Sequence, residues 1–271
     1  MSEQERWDSY FWPGTQVLRN KLGVKSEVWP LLEAEFVGVR EAELPLWGFD
    51  RDTLEQELRA IHRWLFQDCY DWAGELRTVN MKKSHPLLEA VPSFLPWGQI
   101  PGNLEKVQAH IDDLPLDDHN QAVLVEKLGE IHGMLNAVHP FREGNGRTTR
   151  AFMNQLAGQY DISLDWEGAT AGLHFASAVS LVHEDTIDLE PWKAFYSEIA
   201  HRSPWGLHRS ADSDGQGDLA ARRQIVDSLL TGLYAVPAGY GASDASPSPA
   251  TVEGPDGLPV QIDTSSHQTE L

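Results

Sequence analysis

The run His139-Pro140-Phe141-Arg142-Glu143-Gly144-Asn145-Gly146-Arg147-Thr148-Thr149-Arg150 brings together a titratable base, a carboxylate, two glycines and two spaced arginines. His139 titrates near neutral pH and is suited to take a proton from an incoming hydroxyl. Glu143 supplies one hard carboxylate, the donor set of a Mg²⁺ ion shared between protein and phosphate oxygens. Gly144 and Gly146 let a ligand approach the main chain. A helix starting near Asn145 presents backbone N–H groups and the positive end of its dipole, which together make an anion site. Arg147 and Arg150, three apart, fall on neighbouring positions of that first turn and can grip successive phosphates. Base, metal ligand, anion cradle and two clamps in one short run imply phosphoryl or nucleotidyl transfer.

Helices must carry this run. Leu124, Leu128, Ile131, Leu135 and Val138 form an apolar stripe that stops at His139-Pro140, where proline forbids a simple continuation. A second helix is expected over about Arg147 to Leu156, leaving a tight loop between the two. Leu54, Leu58, Ile61 and Leu65 mark another helix, with Asp52 and Glu55 at capping-box spacing. Leu104, Val107, Ile111 and Leu114 mark a further one after Asn103 as its N-cap. Two more are expected near Ala169 to Val182 and from Pro191 to about His201. Trp72 to Met81 breaks the rhythm with a glycine and alternating polarity, which reads as a short hairpin. Ser84 to Gly102, rich in proline, reads as an irregular loop. The fold class is mostly α with one small β-hairpin.

The chain has 271 residues, 21 Lys plus Arg and 41 Asp plus Glu, a formal net charge of −20 that opposes general binding of nucleic acid or anionic membranes. A small basic pocket for one phosphate ligand is compatible with it. Cys69 is the only cysteine, so neither an intrachain disulfide nor a Cys-rich zinc site is possible; it reads as a small buried hydrophobe. The opening MSEQERWDSYFWPG lacks the features of a signal peptide, and no apolar run approaches the roughly 20 residues of a membrane span. The expected location is cytoplasmic. The expected organisation is a folded domain over 1–205, a linker over 206–217, an amphipathic helix over 218–236 and a disordered acidic tail over 237–271. Gly215 to Ala220 matches a dinucleotide fingerprint on paper, but no strand precedes it. His132, seven residues before His139 on the same helix face, reads as structural. The ten tryptophans, Trp7, Trp12, Trp29 and Trp47 among them, read as core or interface residues.

The run from His139 to Arg150 resembles the signature of the Fic (filamentation induced by cAMP) family, H-x-F-x-(D/E)-G-N-G-R-x-x-R, and matches every fixed position. A chance match somewhere in the chain is on the order of 10⁻⁸ at average residue usage. The resemblance implies a Fic-type helical domain that transfers AMP from ATP to a hydroxyl side chain of a target protein. It makes His139 the general base and Glu143 the Mg²⁺ ligand. Gly144, Asn145 and Gly146 would line the anion hole, with Asn145 reaching the α-phosphate. Arg147 would meet the β-phosphate and Arg150 the γ-phosphate, while Phe141 would anchor the loop. In the Doc branch a lysine stands where this chain has Gly146, so glycine favours adenylyl transfer over a kinase reaction.

Tyr70 to Val79 is similar to the segment leading into the Fic flap, which docks target backbone by β-augmentation. Thr78, Val79, Asn80, Met81, Lys82 and Lys83 are the expected docking edge. Gly14 to Gly23 resembles the opening of bacterial Fic toxins and related secreted effectors. The family's inhibitory pattern, (S/T)-x-x-x-E-(G/N), occurs here as Ser163 to Gly168. That match lies just after the motif helix, not where the family carries its inhibitory helix. The helix is therefore expected in trans, from the small antitoxin of a toxin–antitoxin pair. The implied target offers a Tyr, Ser or Thr hydroxyl, with type II topoisomerase subunits as one candidate. The alternatives are another Fic-type transfer (kinase, UMP transfer, AMP removal) or a non-catalytic module that binds nucleotide or a partner.

Overall fold

Ten of the 18 residues of the helix Gln121–Val138 are buried, Leu124, Leu128, Ile131, Leu135 and Val138 among them, so this helix forms the centre of the fold. A helix apolar on most faces must be covered on most faces. In the computed structural model, which describes residues 1–45, 48–49, 51–82, 93–115, 121–181 and 186–202, the covering elements follow in chain order. They are α1 (Glu3–Ser9), α2 (Trp29–Ala42), α3 (Leu54–Phe66), a 3-10 turn (Trp97–Gln99), α4 (Ile100–Asp112), the central α5 (Gln121–Val138), α6 (Asn145–Gly158), β1 (Ile162–Leu164), α7 (Thr170–Val179), α8 (Glu190–Ile199) and β2 (Ala200–Arg202). Helices α4, α6 and α8 pack on α5, while α3 packs on α2, α4 and α6. The mostly α class is the observed one.

The chain divides into two units, Met1–Arg209 and Ser210–Leu271. The expected linker over 206–217, helix over 218–236 and tail over 237–271 lie outside the described residues, as do Lys83, Trp47 and residues 84–92 of the expected irregular loop.

Several helix starts differ from expectation, each for a local reason. Thr53, not Asp52, caps α3: its backbone is extended and its hydroxyl accepts from Gln56 N at 3.3 Å. The irregular loop ends sooner than expected, because α4 begins at Ile100 with Pro101 in its first turn, where no N–H is needed. Asn103 therefore sits inside α4 and returns its Nδ2 to Gln99 O at 2.8 Å. Helix α1 has a full capping box, with Ser2 Oγ accepting from Glu5 N and the Glu5 carboxylate accepting from Ser2 N. The named strands among the described residues are β1 and β2, antiparallel with Ser163 opposite His201. They lie away from the segment 72–81, where the hairpin was expected; that segment is a turn through residue 74 followed by residues in no named strand. Among the described residues the antiparallel pairing beside it is the isolated bridge of Lys82 with Ser93.

Two buried groups show how tightly α5 is packed. His132 lies in the core, stacked on Trp192 with ring centroids 4.2 Å apart and its Nδ1 at 2.8 Å from Tyr196 Oη. At Gly129 the α8 backbone comes so close that a Cβ would stand 2.8 Å from Trp192 O. Gly129→Ala therefore forces α8 outward, and this outweighs the ~1 kcal/mol that alanine normally gains over glycine inside a helix. The expected net loss is about 1–2 kcal/mol in urea unfolding. A stabilised variant would show that α8 retreats without cost.

Candidate active site

Helix α5 ends because Pro140 cannot extend it, and six residues, 139–144, lead to the start of α6. His139 makes the turn in the left-handed region, φ +46°, uncommon for a residue with a Cβ, while its N–H still bonds Leu135 O at 2.9 Å. Phe141 is fully buried, and the Asn145 amide clamps it from both sides: Oδ1 accepts from Phe141 N at 2.8 Å and Nδ2 donates to Phe141 O at 2.7 Å. Gly144 is the N-cap of α6 at φ +82°, and a Cβ there would stand 2.2 Å from the Phe66 ring. The first α6 backbone bond is Thr148 N to Gly144 O, at 3.0 Å. The N–H groups of Asn145, Gly146 and Arg147 therefore have no partner within the helix and form its anion-accepting head. A Cβ at Gly146 would meet only Arg150 Nη1, at 3.6 Å, so this first turn is open.

Two residues that the motif does not contain hold the loop. Arg77, 1% exposed, donates from Nε to His139 O (2.7 Å), from Nη1 to Val79 O (2.6 Å), and from Nη2 to Leu95 O (2.6 Å) and Val138 O (3.1 Å). Burial lowers its pKa to about 10, so it remains a cation at neutral pH. His62 is stacked between Phe141 (4.0 Å) and Phe66 (4.6 Å). Its Nδ1 accepts from Gly74 N at 2.8 Å, which assigns the proton to Nε2, 3.0 Å from Glu143 O. Desolvation pushes this imidazole down to about 3, and it pushes His132 down equally far.

The expected site residues fall on two sides of the α6 head. His139, Asn145, Gly146 and Arg150 line a cavity of about 200 Å³ together with Asn136 and His174. The His139 ring lies flat on Phe94, with centroids 3.7 Å apart. Burial lowers the pKa of Arg150, with Glu41 opposing the shift. Glu143 and Arg147 line a second cavity of about 890 Å³, walled by residues 14–18, Lys25, Glu33 and Tyr70. Glu143 Oε1 accepts from Gly144 N at 2.9 Å and lies 3.6 Å from Arg147 Nη2.

The segment expected to dock a target has one edge engaged within the chain. Thr78 O accepts from Arg6 Nε at 2.9 Å, and Asn80 N donates to Glu3 Oε1 at 2.6 Å, so α1 occupies the outward-facing groups of residues 78 and 80. Met81 O accepts from Phe94 N at 3.1 Å, Val79 is buried, and Lys82 is exposed. Arg142, at a variable position of the motif, lies over the Trp7 ring at 4.4 Å and ties the N-terminal segment to the motif loop. The match to the inhibitory pattern begins in β1, and Glu167 is exposed in the turn that follows, so it forms no helix.

The sequence profile of the Fic/DOC family matches residues 52–157, the stretch from the start of α3 nearly to the end of α6. The chain is 32% identical over 230 residues to the probable protein adenylyltransferase Fic of Salmonella typhimurium, across 83% of this chain and 92% of that protein. It belongs to the Fic/DOC family. It is also 35% identical over 164 residues to the protein adenylyltransferase VbhT of Bartonella schoenbuchensis, but that match spans only 33% of the relative's length and 59% of this chain. Among solved structures, the BepC protein of Bartonella tribocorum with bound AMPPNP has the same fold. Its TM-score is 0.62 at 22% identity, covering 72% of this chain and 98% of that one.

Two measurements check this geometry. A histidine whose folded pKa lies below its unfolded 6.5 leaves the unfolded state binding more protons, so stability falls as pH drops from 6.5 toward 3. Each of His62 and His132 then costs about 2 kcal/mol between pH 7 and pH 5. His132→Gln should reduce the slope of unfolding free energy between pH 5 and 6 from about two protons to about one; an unchanged slope refutes neutral burial. Glu3→Ala removes the acceptor of Asn80 N–H, and exchange of that amide should speed about five- to tenfold while the amides of α5 stay protected. Unchanged exchange at Asn80 would mean that α1 does not hold this edge in solution.

Proposed function

We propose that the protein is a protein adenylyltransferase, moving AMP from ATP to a hydroxyl side chain of a target protein. The observation that carries the reading is the head of α6, an open anion-accepting turn with His139 on one side and Glu143 and Arg147 on the other. The names of the relatives point the same way.

In this reaction the target hydroxyl oxygen attacks the α-phosphorus of ATP, the bond from that phosphorus to the bridging oxygen breaks, and pyrophosphate leaves. His139 accepts the hydroxyl proton, with its ring oriented by Phe94. The backbone N–H groups of Asn145 and Gly146 receive the charge on the α-phosphate oxygens. Asn145 contributes through its main chain and by fixing the loop, because its amide is already engaged with Phe141 at both ends. Arg147 and Arg150 hold the β- and γ-phosphates. The segment from Thr78 to Lys83 would lay the target's backbone alongside the site once α1 releases Thr78 O and Asn80 N.

Glu143 fits a nucleotide-borne Mg²⁺. Its side chain is 44% exposed beside Arg147, and it offers one hard oxygen donor group. Among the described residues no cluster of three or more His, Cys, Asp or Glu forms a metal site, so an ion at Glu143 would take its other ligands from phosphate and water. Such an ion supplies charge neutralisation on the phosphates.

The reading extends to control and location. An inhibitory helix from a separate antitoxin is supported by the sequence match at Ser163 to Gly168 lying on a strand and turn. Among the described residues no helix is long and apolar enough to cross a membrane, and we place the enzyme in the cytoplasm as part of this proposal.

The test is label transfer in bacterial lysate with Mg²⁺, using α-labelled and γ-labelled ATP in parallel. A protein band labelled only from the α-position, and lost in His139→Ala, is the expected result, and its size tests a topoisomerase subunit as the target. Label only from the γ-position would make the protein a kinase. ATP binding with no label from either position would make it a binding module.

A further inference from the structure

Arg147 is held from a helix outside the family motif. Its Nη2 bonds Glu33 Oε1 on α2, and its guanidinium lies over the Phe66 ring at 4.7 Å. Glu33 is a buried carboxylate, 6% exposed, whose other oxygen accepts from the hydroxyl of the fully buried Tyr70. Tyr70 Oη in turn accepts from Trp29 Nε1 at 3.1 Å, and Trp29 stands one helical turn before Glu33 on the same face of α2. Every member of this chain is anchored by the next: indole to phenol, phenol to carboxylate, carboxylate to guanidinium.

A buried ion pair gains little net stability over apolar residues of similar size, and its best-attested use is to impose one geometry. Here the geometry imposed is that of a phosphate clamp. An arginine clamp works through the direction of its planar fork, and an unanchored arginine samples many directions. The Phe66 ring backs the guanidinium at 4.7 Å, and Glu33 holds one of its terminal nitrogens. Nε and Nη1 carry no bond to Glu33 and are left for a ligand. Glu33, Tyr70, Glu143 and Arg147 line one cavity, so the anchor and the clamp meet in the same space.

We propose that Glu33 is a positioning residue for Arg147, aiming its guanidinium at the polyphosphate end of the bound nucleotide. The inference deepens the adenylyltransferase reading, on which it depends for the identity of the leaving group. The anchoring itself is read from the contacts.

The test is a double-mutant cycle on the full chain, with two readouts: affinity for Mg·ATP by calorimetry and rate of α-label transfer. Glu33→Ala should slow transfer by about 10–100-fold, the scale of a clamp displaced by an ångström. It should also lose most of the ATP affinity that Arg147→Ala loses. Adding Glu33→Ala to Arg147→Ala should change neither readout further. Glu33→Gln, which keeps an oxygen facing Nη2, should recover part of the loss. Tyr70→Phe, which removes the donor to Glu33 and keeps the ring, should show a smaller loss that also vanishes without Arg147; it serves if Glu33→Ala does not fold. Losses that add in the Arg147→Ala background would make Glu33 a packing residue of α2 and overturn the proposal. Faster transfer or tighter ATP binding in Glu33→Ala would make Glu33 a competitor of the phosphate and also overturn it. If the wild type transfers no α-label, the adenylyltransferase reading fails by itself, and the ATP-affinity cycle still decides the role of Glu33.

Discussion

The guanidinium of Arg77 joins three parts of the chain that otherwise have little reason to stay together. It binds the last carbonyl of α5 and that of His139, the carbonyl of Val79 in the outer segment, and that of Leu95 just before the 3-10 turn. Its own backbone N–H donates to Pro140 O at 2.9 Å. Burial destabilises the charge, and four carbonyl dipoles offset that destabilisation. Without the guanidinium those carbonyls would stand buried without a donor, at about 1–3 kcal/mol each. The left-handed turn at His139 is itself a strained conformation, of order 1–3 kcal/mol. It persists because Arg77 and Pro140 hold both of its sides.

On this base the loop is built by stacking rather than by secondary structure. Phe66, His62 and Phe141 lie ring on ring, and the Gly144 turn passes so close to Phe66 that only glycine fits. His62 then connects Gly74 to Glu143 through its two nitrogens, which requires a neutral ring with a single tautomer. Burial enforces neutrality, so packing and hydrogen bonding call for the same protonation state. The head of α6 collects Arg147 and Arg150 in a chain of net charge −20. The two facts are compatible because screening at physiological salt acts over about 8 Å. A phosphate at the helix head therefore feels the local dipole and guanidinium groups far more than the distant acidic surface.

How much of this was legible in the sequence follows the range of the interactions. The stripe Leu54 to Leu65, the long stripe ending at Val138 and the break at Pro140 are local patterns, and the helices stand where they fall. Cys69 and His132 are buried as their contexts implied. The supports of the site act across long sequence separations, and each left only a faint trace. His62 lies on the apolar face of α3 between Leu58 and Leu65, a polar residue where a core residue was due. Arg77 lies two residues before the buried Val79 and is itself buried, a charge on an inward position. Glu33 left no trace, because one glutamate among several on α2 looks like solvated surface until its partners at positions 70 and 147 are known. The sheet was misplaced for a related reason. The alternation in 72–81 is real, but Arg77 and α1 satisfy the backbone groups that a second strand would otherwise pair.

The placement of Phe94 links docking to chemistry. It follows Ser93, the bridge partner of Lys82, and its N–H bonds Met81 O, so its backbone belongs to the same short antiparallel contact as the segment proposed to dock the target. Its ring is the surface on which the His139 imidazole rests. The next residue, Leu95, bonds Ala137 O through its N–H and Arg77 through its carbonyl. In the proposed reaction the segment that sets the position of the hydroxyl and the ring that receives its proton therefore share one support. A target backbone in the wrong register would present its hydroxyl away from His139, with no independent movement of the base to compensate. In the proposed reaction, selection among hydroxyls would come from main-chain register along residues 78–82 once α1 releases that edge, and the side chains of the target need only be compatible with it.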